Sequence, residues 1–500
     1  MSIDGEFASL PLDELAAAAL EVAGAAGAAH ADLRVQRART GHLALRDGRL
    51  ASSADGERLG LAVRVLLDGV WGFAATDELT TDAAARTARH ALDVARTCAP
   101  LAAERTELAP EPVHRATWVG PGEVDPFAVP AADRVRLLSD RSAALLATSS
   151  VEHVDADVQQ VKEQKFYADL SGSRIVQQRL LIHPEFTVVG LGTDGPESLR
   201  TLAGPSARGW EYLTGSGESA AWDWDAELAE LPELLAERLV APGVEAGRYD
   251  LVIDPTNLWL TIHESVGHAT ELDRSLGYEA AYAGTSFATL AGLGTLRYGS
   301  ELMTVTGDRT AEFACATVGF DDEGVATTQW DLVRDGVLSG FQLDRAMAAR
   351  TGLGRSNGCA YADSALSVPV QRMANVSLQP RGDSSTADLI GGVEDGLYVV
   401  GDRSWSIDMQ RYNFQFTGQR FYRIRGGRLA GQVKDAAYQG STPSFWGSLR
   451  ALGGPQTYVL GGAPNCGKAQ PGQTAWVSHG CPSALFSQVS ILNTLEEAGR

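Results

Sequence analysis

Asn257-Leu258-Trp259-Leu260-Thr261-Ile262-His263-Glu264-Ser265-Val266-Gly267-His268 is the stretch on which the reading of this chain turns. Six mostly apolar residues lead into two imidazoles that bracket a carboxylate. Tyr249-Asp250-Leu251-Val252-Ile253 just before it reads as a short buried strand, and Pro255 opens the following helix. Neutral imidazole is the commonest metal ligand among side chains. A Glu beside the first ligand is placed to take a proton from an activated water.

The spacing is unusual. Zinc-peptidase helices carry their two His four residues apart, on one face. Here the separation is five, which on a regular helix turns the second ring away by roughly 140°. Two local solutions stay open. The helix is overlong at this point, as in a π-bulge, or it ends near Gly267, whose backbone tolerates unusual dihedrals. Two His also leave a catalytic zinc one protein ligand short. Downstream, Asn465-Cys466-Gly467-Lys468 offers a thiol in a Gly-rich loop. His479-Gly480-Cys481-Pro482 offers a second His/Cys pair, for which a structured turn is the preferred reading. Glu271, three residues after His268, is a further possible ligand.

Outward from the motif, the first half reads as a duplicated unit. A helix over Leu10–Ala26 is followed by strands over Asp32–Thr76 and a helix over Thr81–Cys98. Asp47-Gly48 marks a tight hairpin within the strands. After a proline-bearing connector, Pro100–Pro130, the order repeats: helix Ala131–Ala147, strands Val151–Gly190, helix Ala221–Val240. Pro242-Gly243 is the expected boundary. Beyond it the chain is strand-rich, with hairpins at Asp335-Gly336 and Gly426-Gly427 and only the motif helix clearly defined. Tyr412, Phe414 and Phe416 alternate along one strand, read as core packing. The expected class is α+β: an N-terminal duplicated helix/antiparallel-strand domain, 1–241, then a strand-rich domain, 242–500, carrying the metal-site helix.

Composition narrows the partners. The 500 residues are 44% hydrophobic and carry a net charge of −21 with no basic run, which argues against nucleic acid. No stretch has the length and apolarity to span a bilayer, and the N-terminus lacks the pattern of a signal peptide. Five scattered cysteines suit a reducing cytosol. His30, His42, His90, His114, His153 and His183 stand singly and read as surface or satisfied core residues.

The motif helix and the Cys466 loop together resemble the TldD branch of the TldD/PmbA (TldE) metallopeptidase family. Five blocks between them continue the resemblance in order: Phe320-Asp321-Asp322-Glu323-Gly324, Gly340-Phe341-Gln342-Leu343-Asp344-Arg345, Gly354-Arg355-Ser356-Asn357-Gly358, Pro369-Val370-Gln371-Arg372-Met373 and Lys434-Asp435-Ala436-Ala437-Tyr438-Gln439-Gly440. The resemblance implies zinc ligands at His263, His268 and Cys466 and a catalytic Glu264. It implies a peptidase that trims leader peptides or degrades short and unfolded polypeptides. It also implies a heterodimer in which this chain is the metal-bearing member beside a TldE/PmbA-type subunit. The rival expectations are a non-catalytic peptide-binding or scaffold subunit with structural zinc, a chaperone-like peptide binder, and a small-molecule amidase.

Overall fold

The computed structural model describes residues 2–193, 195–215, 222–497 and 499. Its N-terminal half is built on one seven-stranded sheet. In spatial order the strands are Val70–Thr76, Arg49–Leu67, His30–Arg46, His153–Asp169, Arg174–Gly192 and Arg115–Val119, with Gly195–Arg200 also on Arg174–Gly192. The two helix–strand units expected from sequence therefore share a single sheet. They join where His30–Arg46 pairs antiparallel with His153–Asp169, Asp32 opposite Asp169 and Arg46 opposite Asp155. Asp47 and Gly48 both take positive φ, 51° and 72°, as the tight two-residue hairpin turn requires.

One face of this sheet is apolar and the other polar. Leu33 and Val35 pack with helices Leu12–Ala25 and Thr81–Cys98. Leu43 and Leu45, on the same strand and the same face, pack with helices Ala131–Leu146 and Trp224–Leu239. The last of these was expected from Ala221, which lies outside the described residues. On the opposite face Arg34, Arg64, Lys165 and Arg179 are buried against the C-terminal half. The connector is not free of structure: it lends Arg115–Val119 as a parallel partner to Arg174–Gly192. A five-residue strand is too short to announce itself by alternation.

In the C-terminal half, Asp395–Ile407 pairs with both Gly247–Ile253 and Asn413–Arg425. Asn413–Arg425 continues to Ala436–Ser441, then Ala484–Asn493, then back to Gly247–Ile253. Five strands thus close into a ring. Helix Pro255–Ile262 leaves the end of Gly247–Ile253 with all eight residues buried. Its polar side chains are satisfied by the ring: Asn257 Nδ2 donates to the carbonyls of Gly401 and Thr417, and Tyr438 Oη donates to Asn257 Oδ1 at 2.8 Å. The hairpins at Asp335-Gly336 and Gly426-Gly427 are present. Phe414 and Phe416 are core residues, whereas Tyr412 precedes the strand and is 38% exposed. Helices Leu272–Ser275, Arg345–Thr351, Thr386–Gly391 and Thr442–Gly447 were not expected. At four to seven residues they are shorter than two helical periods and leave little trace in the apolar pattern. Among the described residues no helix is long and apolar enough to cross a membrane.

Candidate metal centre

The five-residue spacing is resolved by a π turn. The α-helix ends at Ile262, residues His263–Gly267 form a π-helical turn, and His268–Thr270 is 3-10. The His268 amide donates to the His263 carbonyl, five residues back. A wider turn brings two residues five apart onto one face, and the two rings lie 4.7 Å apart, edge to face. Of the two local solutions left open by the sequence, the overlong turn is the one realised; the helical path does not end near Gly267 but runs on through Thr270. Gly267 does not serve by unusual dihedrals, for its φ is −55°. It serves by lacking a Cβ, which would stand 2.6 Å from Met373 Sδ. Gln342 holds the end of the turn, its Nε2 donating to the Gly267 carbonyl at 2.7 Å and to Thr270 Oγ1 at 3.1 Å.

Cys466 arrives on strand Val459–Lys468, paired with Gln473–Cys481. Between Ala463, opposite Val477, and Cys466, opposite Ala475, two residues face one across the ladder. Such a bulge re-aims the side chain that follows it. Cys466 Sγ lies 3.8 Å from His268 Nε2. Arg372 donates to the Cys466 carbonyl and, at 3.1 Å, to that of Gln473, fixing the strand from behind. One donor atom each from His263, His268 and Cys466 lies within 4.8 Å of the others, and all three residues are buried. Zinc bonds of about 2.0–2.3 Å in tetrahedral geometry put donors roughly 3.3–3.6 Å apart, so the cluster fits one such ion with little adjustment.

The atoms behind these donors select their protonation. His479 Nδ1 donates to the Val376 carbonyl at 2.9 Å. Its Nε2 is therefore an acceptor, and His263 Nδ1–H donates to it at 2.7 Å. His263 Nε2 is left with a lone pair. His268 repeats the arrangement with a carboxylate: Nδ1 donates to Glu271 Oε2 at 2.9 Å, leaving Nε2 toward Cys466. Glu271 is in turn held by Arg274 Nε and Lys468 Nζ, each at 3.1 Å. Such outer partners fix the tautomer of metal-ligating His. Burial pushes His268 down to about 3 and His479 down to about 4, and pushes the Cys466 thiol up to about 11.

His479 and Glu271 thus stand one step behind the donors. Cys481 points elsewhere, its Sγ 3.4 Å from the Pro255 carbonyl. The expected turn at His479-Gly480-Cys481-Pro482 is instead the end of strand Gln473–Cys481. Strand pairing continues through Gly480, whose missing Cβ leaves room for the Tyr458 hydroxyl.

Glu264 lies on the π turn, 5% exposed. Burial raises its carboxyl above the usual range, against the pull of the Arg411 guanidinium. Arg411 Nη1 donates to Glu264 Oε2 at 2.7 Å. No sequence signal marked Arg411, which is 147 positions from its partner. His263, Glu264, His268 and Cys466 open onto a cleft of about 420 Å³. Asp157, His183 and Arg200 of the N-terminal sheet line it together with Trp259, Trp405 and Asn465. His183, read from the sequence as a surface or satisfied core residue, lines this cleft and is pushed down to about 4 by burial and by Arg200.

Comparison with known proteins gives the family. The family model for the PmbA/TldA metallopeptidase C-terminal domain matches residues 246–493, and that for PmbA/TldA metallopeptidase domain 1 matches residues 31–95. A metalloprotease of Methanothermobacter thermautotrophicus is 28% identical over 474 residues, 93% of this chain and 96% of its own. A zinc metalloprotease TldD homolog of Saccharolobus solfataricus is 26% identical over 271 residues, 54% and 57% of the two chains. The crystal structure of TldE from Thermococcus kodakarensis matches with a TM-score of 0.69 at 15% identity, over 94% of this chain and 98% of that one.

Proposed function

The chain belongs to the PmbA/TldD metallopeptidase family, and from that premise we propose that it is a zinc-dependent peptidase acting on short, unfolded or leader peptides. The observation that carries this reading is the convergence of His263, His268 and Cys466 at the foot of a cleft, with Glu264 on the same turn. Three protein donors with one position open is the pattern of catalytic zinc. A closed structural site would need a fourth, and the candidates for it, His479, Cys481 and Glu271, are engaged elsewhere. That favours a catalytic centre over a scaffold with structural zinc.

Bound zinc supplies Lewis acidity toward the scissile carbonyl. The chain's own residues do the rest. Glu264 takes the proton of the attacking water as the C–O bond forms. It returns that proton to the amine as the C–N bond breaks. His479 and Glu271 hold the two imidazoles in their ligating tautomers. The substrate lies extended along strand Val459–Lys468, which among the described residues has a strand on one edge only. Main-chain pairing there binds peptides with little regard to sequence. A folded domain does not enter a cleft of this size.

The TldE-like fold at TM-score 0.69 supports a heterodimer with a TldE-type homologue, this chain being the metal-bearing subunit. The five cysteines are free thiols, which supports a reducing cytosol. A net charge of −21 supports peptide rather than nucleic acid as the partner.

The test is zinc content and peptide cleavage by the chain, alone and with its TldE-type homologue, for wild type and Glu264→Ala. The expected result is zinc retained and hydrolysis lost in the variant. Cleavage that survives either chelation or this substitution refutes the proposal.

A further inference from the structure

Arg411 occupies a position that its own packing does not account for. Its backbone is left-handed, φ 60°, a region that long L side chains avoid. The turn that imposes this is built by Asp408. Oδ1 of Asp408 accepts from the amides of Gln410 and Tyr412, and Oδ2 accepts from the amide and side chain of Asn413. Thr442 Oγ1 caps the Arg411 carbonyl at 2.8 Å. The side chain is then carried inward until it is 13% exposed. There its Nε is buried without a partner. A desolvated guanidinium with a donor left over is an incomplete core residue. Its one short contact is Glu264 Oε2, at 2.7 Å.

The surroundings tie this contact to the metal ligands. Arg411 Nη2 reaches the Ala283 carbonyl at 3.4 Å. The same carbonyl accepts from Arg274 Nη1 at 2.7 Å, and Arg274 Nε holds Glu271 behind His268. One backbone oxygen therefore registers the group behind His268 against the group beside Glu264.

We infer that Arg411 is a positioning residue: its guanidinium pins the Glu264 carboxylate in one rotamer beside the three donors. The inference rests on the proposed role of Glu264 as proton carrier. Without Arg411 the carboxylate loses its charged anchor, keeps only the Trp405 side-chain hydrogen bond, and swings out of that rotamer.

The experiment pairs a crystal structure of zinc-loaded Arg411→Ala with steady-state kinetics of Arg411→Ala, Arg411→Lys and Glu264→Ala, singly and combined. The expected structure keeps His263, His268 and Cys466 in place and displaces the Glu264 carboxylate by more than about 1 Å. A misplacement of that size costs about 10²-fold in kcat, with KM within about threefold and zinc content unchanged. Arg411→Lys recovers only part of the loss, because an ammonium lacks the planar fork. Tens of millimolar guanidinium restores part of the activity of Arg411→Ala. In the Glu264→Ala background, Arg411→Ala costs nothing more. A carboxylate that stays in place, or losses that multiply, overturns the inference. Full activity of Glu264→Ala overturns the proposed function instead. If Arg411→Ala does not fold, the structure of Arg411→Lys decides the same question.

Discussion

His479→Phe tests the hydrogen-bond logic of the site most directly. The substitution keeps an aromatic ring against Trp259, with which His479 is stacked at 6.2 Å and 4°. It removes the Nε2 acceptor that holds His263 Nδ1–H. The His263 ring then has no reason to keep its proton on Nδ1 and exchanges it for the tautomer that blocks Nε2. Loss of such an outer partner weakens metal binding about 10–100-fold, or about 1.4–2.8 kcal/mol. Linkage makes this visible without any substrate. At free zinc about 1,000 times the wild-type Kd, binding stabilises the fold by about 4 kcal/mol; a 30-fold weaker variant retains about 2 kcal/mol of that. The assay is competition for zinc against a chromophoric chelator, followed by urea unfolding with and without zinc. The zinc-free variant should be about 1–3 kcal/mol less stable than the zinc-free wild type, because the Val376 carbonyl and His263 Nδ1 lose their buried partner although the ring stack is kept. Zinc affinity within twofold of wild type would refute the tautomer reasoning. A loss as complete as that of His263→Ala would show that His479 is itself a ligand.

Two further outcomes follow from packing and charge. Gly267→Ala puts a Cβ 2.6 Å from Met373 Sδ and 2.9 Å from its Cε, an overpacking worth about 1–3 kcal/mol; adding Met373→Ala should make the pair less destabilised than the sum of the singles in urea unfolding, and strict additivity would show that the contact is not the obstacle. Burial disfavours ionised Asp32, but Arg64 and His30 prevail and hold it down to about 2 against an ordinary 3.8. The folded pKa is the lower one, so the stabilisation is complete above pH 3.8 and fades as pH falls through about 2, being about 2 kcal/mol at pH 5 and about half that at pH 3. The stability gap between wild type and Asp32→Asn should narrow by about 1 kcal/mol over that interval, and a gap independent of pH would remove Asp32 from the ionic network.

What was legible in the sequence was local. Asp-Gly and Gly-Gly turns announce themselves because few residues take positive φ, and all three hairpins so marked are present. The wrong spacing of His263 and His268 was a conflict with helical geometry, and a π turn is a physical way to relieve it. Two of the five blocks noted between motif and Cys466, 340–345 and 369–373, find their physical reason around that turn and its ligands. Gln342 closes it, Met373 packs on Gly267, and Arg372 holds Cys466. None of those three contacts has a spacing rule, so the sequence could place the blocks in order but not in space. Arg411 was invisible for the same reason. The pairing of His30–Arg46 with His153–Asp169 also escaped, because alternation along a strand says which face is buried and nothing about which strand lies beside it.

The polar seam between the two halves explains how distant residues come to share one cleft. Lys165 Nζ meets Asp322 at 2.9 Å, Arg64 meets Asp32 at 2.8 Å and Glu323 at 3.3 Å, and Arg179 meets Glu163 at 2.7 Å. Buried ion pairs add little stability over apolar residues of the same shape, so stability is a weak reason for this one. Register is a better reason. Glu163 and Lys165 share a sheet face with Asp157 and Gln159, and their partners Arg179 and Gln177 share it with His183 and Glu185. A slip of one residue in either strand would turn the charges onto the face where Val158 and Phe166 pack. The ion pairs at one end of these strands therefore help fix which side chains line the cleft about 20 Å further along the strand, at 3.3 Å per residue. The acidic block Asp321-Asp322-Glu323 thus acts on the site through the sheet: it helps decide that Asp157 and His183 face the cleft that Glu264 also lines.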